Sequence, residues 1–273
     1  SNYNSSSHTY VAWNWDMGGD SYGLPSTCTA VSPAVHSTDQ AKIGSTSMKF
    51  DGSSAKITVT DKAEFDFKAN DFTIEWWQYR TGTVGSGQKR GIWRHAYGNT
   101  YSPNTVDDEG TMRLYLSSNN SAWNLANGLS LGSTEANGWH HYAAVRNGNT
   151  ITSYKNGTLV SATTSSSSVY SYSGSGYVGS DASYHWEGFI DEFRISNKAR
   201  YTSNFTAPTT AFSNDANTIL LIHSDTSNSS TVFTDSSGAA KNTTGSITSY
   251  VAANTTYGQS IVSYTGNGTS GAT

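Results

Sequence analysis

Residues 139–157 read Trp-His-His-Tyr-Ala-Ala-Val-Arg-Asn-Gly-Asn-Thr-Ile-Thr-Ser-Tyr-Lys-Asn-Gly. Trp139, His141, Ala143 and Val145 alternate with His140, Tyr142, Ala144 and Arg146, the period of a strand half buried against a second layer. Asn147-Gly148 then carries the strongest short hairpin signal, because both residues accept positive φ and suit a type I′ turn. A second strand follows, and Asn156-Gly157 turns the chain again. Two tight hairpins in succession predict an antiparallel meander rather than a parallel sheet with helices.

The rest of the chain supports that reading. Its 273 residues suffice for one large β domain with extensions. Only 13% of residues are charged, Gly is abundant (26) and Pro scarce (4), and no stretch sustains a 3.6-residue period. These are the marks of an all-β protein with many polar turns. A net charge of −4 argues against a nucleic-acid footprint. No run of apolar residues is long enough for a spanning helix, so no membrane insertion is expected. Residues 1–9 are polar and lack a signal peptide's apolar stretch, which implies processing or export as part of a particle. Cys28 stands alone, so no internal disulfide forms.

Five segments carry a family resemblance, in order: Met48-Lys49-Phe50-Asp51-Gly52, Asp71-Phe72-Thr73-Ile74-Glu75-Trp76-Trp77, Trp139-His140-His141, Tyr154-Lys155-Asn156-Gly157, and Gly188-Phe189-Ile190-Asp191-Glu192-Phe193-Arg194-Ile195. Lys198-Ala199-Arg200-Tyr201 and Ile219-Leu220-Leu221-Ile222-His223 resemble the usual exit. Together they resemble the laminin-G-like, concanavalin A-like jelly-roll family, which implies a two-sheet antiparallel sandwich. Residues 28–225 are assigned to the jelly roll, 1–27 to an N-terminal β segment and 226–273 to a Ser/Thr-rich C-terminal β extension.

The two ends resemble something else. Tyr10-Val11-Ala12-Trp13-Asn14-Trp15 is similar to the close, and Gly245-Ser246-Ile247-Thr248-Ser249-Tyr250 to the opening, of a repeat in marine bacteriophage fibre or appendage proteins. A pair of strands without a third partner is marginal in water. The C-terminal strands are therefore expected either to pair with the N-terminal strand of a neighbouring copy, giving self-association, or to pack on their own jelly roll.

Candidate chemistry is sparse. Asp191 and Glu192 are adjacent on a strand and should face opposite ways, so they make no acid/base pair. Glu75 and Glu187 are isolated, no nucleophile elbow or zinc motif occurs, and no enzymatic activity is expected. His140 and His141 also face opposite ways, and His141 reads as a packed core residue. By resemblance, Asp191 and the Asp51-Gly52 segment would hold a structural Ca²⁺, which takes six to eight oxygen ligands. The competing reading makes Asp191 the cap of a buried turn.

Sugars are held by stacking on aromatic rings, with polar groups bonding the hydroxyls. Three aromatic segments supply candidates: Trp93, Arg94 and His95, in the stretch Trp93-Arg94-His95-Ala96-Tyr97 at a strand end, Trp123 in an Asn-rich loop, and Tyr184, His185 and Trp186 after Asp181. Trp76, Trp77 and Trp139 read as core or sheet packing, while Trp123 and Trp186 read equally as exposed or buried. The long segment from residue 96 to 110, with Pro103 and the acids Asp107, Asp108 and Glu109, reads as a loop. The expected function is a non-catalytic virion-surface fibre or appendage protein, extracellular, whose jelly roll binds a host glycan. The alternatives are a structural subunit that self-assembles, and a secreted bacterial adhesin or carbohydrate-binding module.

Overall fold

A computed structural model describes residues 25–31 and 33–237. The strand candidates at residues 10–15, 246–252 and 260–264 lie outside the described residues. In chain order the strands are β1 (Thr27–Val31), β2 (Val35–Ser37), β3 (Ser47–Asp51), β4 (Lys56–Val59), β5 (Phe72–Arg80), β6 (Lys89–Arg94), β7 (Asn104–Asp108) and β8 (Thr111–Leu116). They continue as β9 (Ala126–Ser133), β10 (Trp139–Asn147), β11 (Thr150–Lys155), β12 (Thr158–Thr164), β13 (Gly176–Val178), β14 (Glu187–Ser196), β15 (Thr218–Ile222) and β16 (Val232–Thr234).

Two antiparallel sheets face each other. Sheet A runs β16-β1-β4-β13-β6-β7-β8-β9, and sheet B runs β12-β11-β10-β5-β14-β3-β2, with β15 also paired to β14. Alternate side chains point inward from both. Ile57, Val178, Trp93, Leu114 and Met112 of sheet A meet Phe72, Ile74, Trp76, Tyr142, Ala144 and Ile190 of sheet B in one buried core. The chain is an all-β jelly-roll sandwich.

The turns follow the sequence with one shift. Lys155 pairs with Thr158 across Asn156 (φ 50°) and Gly157 (φ 81°), the double positive φ of a type I′ turn. The preceding hairpin closes with Asn147 opposite Thr150, so its central residues are Gly148 and Asn149. Only Gly148 (φ 57°) of that pair has positive φ, so Gly, not Asn, takes the first central position. Gly157 is also sterically fixed, since a Cβ there would meet the Phe205 carbonyl oxygen at 1.9 Å.

That contact belongs to a cover over sheet B. The chain after β14 returns across the outer face and packs Tyr201 and Phe205 on Ala143, Val145 and Tyr154. Phe212 packs with Ile43, Trp77 and Leu221. Beneath this cover lies Glu75, fully buried. Arg194 donates to its Oε1 from Nε (2.9 Å) and Nη2 (2.7 Å), and Tyr201 Oη donates to its Oε2 (2.7 Å). His141 Nε2 lies 3.3 Å from the same oxygen. Burial alone would raise the Glu75 pKa, but the His141 hydrogen bond and the Arg194 charge outweigh it and hold it at about 2. Glu75, isolated in the sequence, is the centre of a network in the structure.

Three other expectations change. First, β14 carries a bulge: its register with β5 shifts between Asp191 and Arg194, and Glu192 has φ 51°. The bulge breaks the alternation, so Asp191 and Glu192 do not take opposite faces. Asp191 accepts from the amides of Lys42 and Ile43, while Glu192 accepts from the Phe212 amide and bonds His223 Nδ1 at 2.7 Å; all these partners belong to segments covering the outer face. Second, residues 104–108 are a strand, not a loop. Asp107 faces Thr134 (2.6 Å) and Asp108 faces Lys89 (3.2 Å) and Tyr115 Oη (3.1 Å), so each acid has a partner on its own side of the strand. Glu109 and Gly110 make the turn, with φ 54° and 84°.

Third, the jelly roll does not stop at residue 225. β16 pairs with β1, and Phe233 is buried in the main core and stacks on His36 at 4.1 Å. Asp235, also buried, accepts from the amides of Ser26 (2.7 Å) and Leu221 (3.0 Å) and pairs with Lys62 at 3.2 Å. Residues 226–237 therefore belong to the sandwich.

Two predictions follow from these contacts. Glu75→Gln leaves Arg194 buried without its counter-charge and should cost about 3–5 kcal/mol at pH 7, read by denaturant unfolding. Because the folded pKa lies below the unfolded one, that stabilisation is present above pH 4.5 and is lost as pH falls toward about 2; the gap between wild type and variant should close over this window. Phe233→Ala should cost about 3–5 kcal/mol in the same assay, whereas a jelly roll ending at residue 225 would leave stability unchanged.

A candidate binding surface of aromatic side chains

Adjacent strands of sheet A set Thr58, Tyr177, Arg94, Asn104, Tyr115 and Asn127 opposite one another, in one row. Directly opposed residues share a face. The neighbouring row, Ile57, Val178, Trp93, Thr105, Leu114 and Leu129, faces the core. Thus Trp93 and Arg94, adjacent in sequence, part company: Trp93 points in and is 2% exposed, while Arg94 points out.

Arg94 organises what lies over the row. Its Nη2 donates to the carbonyls of Asn99 (2.6 Å) and Thr100 (2.8 Å), its Nε to Ser102 Oγ (3.1 Å), and its Nη1 to the Asp181 carbonyl (3.1 Å). One guanidinium thereby fixes the 96–103 loop and the 181–186 loop. The former carries a tyrosine toward each end. Tyr97 stacks on Tyr177 with centroids 4.3 Å apart and planes at 18°. Tyr101 meets Trp123 edge-on at 5.1 Å, and Trp123 in turn leans on Tyr115 at 5.4 Å.

A third segment completes the surface. The Tyr97 amide donates to the Ser175 carbonyl and the Tyr170 amide to the Ser117 carbonyl. Tyr172 Oη donates to the Tyr101 carbonyl (2.6 Å), and Tyr170 packs on Tyr172 at 5.1 Å. Tyr97 is 46% and Tyr170 43% exposed, and Trp123, Tyr101 and Tyr115 are half-buried. Burial pushes the Tyr115 phenol up to about 12, with the Asp108 carboxylate adding to it. It remains a neutral hydroxyl, bonded to Asp108.

The sequence candidates divide on burial. Trp93, His95 and Trp186 are interior, at 2%, 1% and 0% exposed, and offer no ring face to a sugar. His95 bonds Asp61 (2.9 Å) and Trp186 donates its indole N–H to the Phe189 carbonyl (3.3 Å), so their polar atoms serve the fold. Arg94 and Trp123 lie on the outer face. Tyr184 (41% exposed) and His185 sit on the adjoining loop, whose turn Asp181 builds by accepting from the amides of Ser183 and Tyr184. Tyr101, Tyr115 and Tyr177 are additions, while Tyr97 ends the first candidate segment. Tyr115 was legible in the in-out alternation of Met112, Leu114 and Leu116 against Thr111, Arg113 and Tyr115; the pairing of Tyr97 with Tyr177 depends on strand order.

The calcium pair does not assemble. Asp51 pairs with Glu187 across β3 and β14, and Asp191 lies four residues farther along, about 13 Å away at the rise of a strand. The Asp51 carboxylate accepts the amides of Ser53, Ser54 and Ala55 and so caps its own turn. Asp191 accepts three amides, from Lys42, Ile43 and Glu192, donors rather than the oxygens a cation needs. Burial pushes its pKa up to about 8. Among the described residues no group of three or more His, Cys, Asp or Glu side chains is placed to hold a metal ion.

Residues 51–206 match the model of the concanavalin A-like lectin/glucanases superfamily. The chain belongs to that superfamily. Residues 232–273 match a second model, a domain of unknown function (DUF7483), whose first residues are the β16 strand of the sandwich. No curated protein sequence matches. Among solved structures, the binding domain of Paraclostridial Mosquitocidal Protein 1 is similar at 14% identity, covering 64% of this chain and 45% of that one, with a TM-score of 0.51. The binding domain of botulinum neurotoxin serotype G gives 14%, 68%, 47% and 0.51. Domain 4 of AbnA, an extracellular arabinanase from Geobacillus stearothermophilus in complex with arabinotriose, gives 16%, 64%, 83% and 0.50. The chain spans less than half the length of the two toxin chains. At these identities the likeness shows the fold.

Arg94→Ala removes four hydrogen bonds from two loops. Hydrogen exchange at residues 99–102 should accelerate at least tenfold while β5, β10 and β14 keep their protection.

Proposed function

We propose that this protein is a non-catalytic glycan-adhesion module of a virion-surface fibre or appendage protein. The observation that carries the adhesive part is the division between the two outer faces. The exit segment covers Ala143, Val145 and Tyr154 on sheet B, while sheet A presents Tyr97 and Tyr101 on a loop tied down by Arg94, with Tyr115, Trp123 and Tyr170 on the neighbouring β8 strand and segments. Rigid aromatic faces beside amides and hydroxyls suit sugar rings, which bury an apolar face and keep their hydroxyls bonded. Arabinotriose bound to a domain of the same fold supports this reading. The resemblance of the chain's ends to fibre repeats supports the virion setting, where many copies compensate for weak single sites.

The alternative is a structural subunit that joins its neighbours by strand pairing. It is favoured by β16, the outermost strand of sheet A among the described residues, whose Val232 is 72% exposed and lines an apolar hollow of about 510 Å³ together with Ala30, Pro33, Ala34 and Val35.

A glycan array with and without EDTA separates the two. Adhesion predicts binding to a host polysaccharide that Tyr97→Ala and Trp123→Ala each weaken about thirtyfold while each variant stays folded. Silence on every glycan, with concentration-dependent oligomers in mass photometry, would overturn adhesion in favour of assembly.

A further inference from the structure

We infer that the aromatic surface of sheet A takes a linear glycan lengthwise, with about four consecutive sugar units engaged, rather than a terminal monosaccharide; this rests on the glycan reading above. The stacking groups stand at two separated poles. One pole is Tyr97 on Tyr177, with Lys56 Nζ 5.0 Å from the Tyr177 ring centroid on the β4 side. The other is Trp123 wedged against Tyr101 and Tyr115. Tyr177 and Tyr115 stand in the same cross-strand row, separated by Arg94 on β6 and Asn104 on β7. Three strand spacings put them about 14 Å apart. A sugar unit with its bridging oxygen advances a chain by about one strand spacing, roughly 5 Å. Rings stacked at the two poles are therefore about three linkages apart, and a monosaccharide reaches one pole only.

The surface between the poles is suited to being crossed. The 96–103 loop spans it, and its backbone is drawn down by Arg94, which takes the Asn99 and Thr100 carbonyls. What the loop leaves facing solvent is Gly98 and Thr100, with Asn99 partly exposed: small or neutral polar groups, with no bulky side chain to block a chain laid across them. The acid nearest Tyr115 is Asp108, already held by Tyr115 Oη, Lys89 and Arg113. Tyr170, exposed on Tyr172, adds a ring beside Tyr101, whose carbonyl accepts the Tyr172 hydroxyl. Two aromatic poles joined by a polar stretch of loop hold both ends of a short stretch of polymer, and each engaged unit raises the effective concentration of the next.

The test uses the whole chain. Affinity electrophoresis through gels containing linear arabinan, mixed-linkage β-glucan or xylan first identifies a polymer that retards it. Calorimetry then measures binding to oligosaccharides of one to six units prepared from that polymer. The expected result is no measurable binding to one unit, an increase of about thirtyfold between two and four units, and a plateau beyond. Tyr97→Ala and Trp123→Ala should each abolish the dependence on length and reduce the hexamer to the affinity of the dimer. Leu159→Ala, on β12 beside the exit segment that covers sheet B, should leave the series unchanged, and melting temperatures confirm that each variant is folded. A monosaccharide bound as tightly as the hexamer would overturn the lengthwise mode while leaving glycan binding intact. No retardation by any of the three polymers, together with a silent array, would overturn the glycan reading itself.

Discussion

The burial of one carboxylate, Glu75, is the constraint on which the rest of sheet B depends. An ionised group taken out of water must be met by charge and by hydrogen bonds. Here Arg194 from β14, His141 from β10 and Tyr201 from the exit segment all converge on it. Three elements distant in sequence are thereby fixed to β5. Once Tyr201 is fixed, Phe205 stacks on it at 3.5 Å and the Phe205 amide bonds the Gly157 carbonyl. Asn156 closes the same corner, its side chain accepting the His141 amide. The outer face of sheet B is thus converted from a surface into an interior.

This explains why the residues that identify the family say little about what the protein binds. Glu75, His141, Asn156, Gly157, Arg194 and Tyr201 are the letters of the resembling motifs, and each contributes to the cover over sheet B. They are distinctive because a buried ion pair and a Cβ-free turn tolerate few substitutes. The proposed recognition surface is on the other sheet. There the side chains are solvent-facing tyrosines and a tryptophan on loops, where composition constrains little.

What the sequence made legible follows from the same physics. The meander at residues 139–157 could be read because alternation and Asn-Gly turns are local signals. The bulge at Asp191–Glu192 could not, because it depends on where β14 changes partner from β3 to β15. The acids at 107–109 suggested a loop because charge disfavours strands, and the partners that override this, Thr134, Lys89 and Tyr115, come from other elements. Among the candidate site residues, alternation separates Trp93 from Arg94 but does not say which one faces the core. Tyr97 and Tyr177 lie eighty residues apart, and only the insertion of β13 beside β6 brings them together.

The central claim is that the motif-bearing sheet is scaffold and the opposite face is the site. Hydrogen-exchange footprinting of the full chain, with and without a saturating polysaccharide that retards it, addresses this most directly. New protection is expected at residues 96–103, 117–124 and 170–177, with residues 38–46 and 197–217 unchanged. Protection centred on the cover over sheet B, with none at the tyrosine-bearing loops of sheet A, would contradict it.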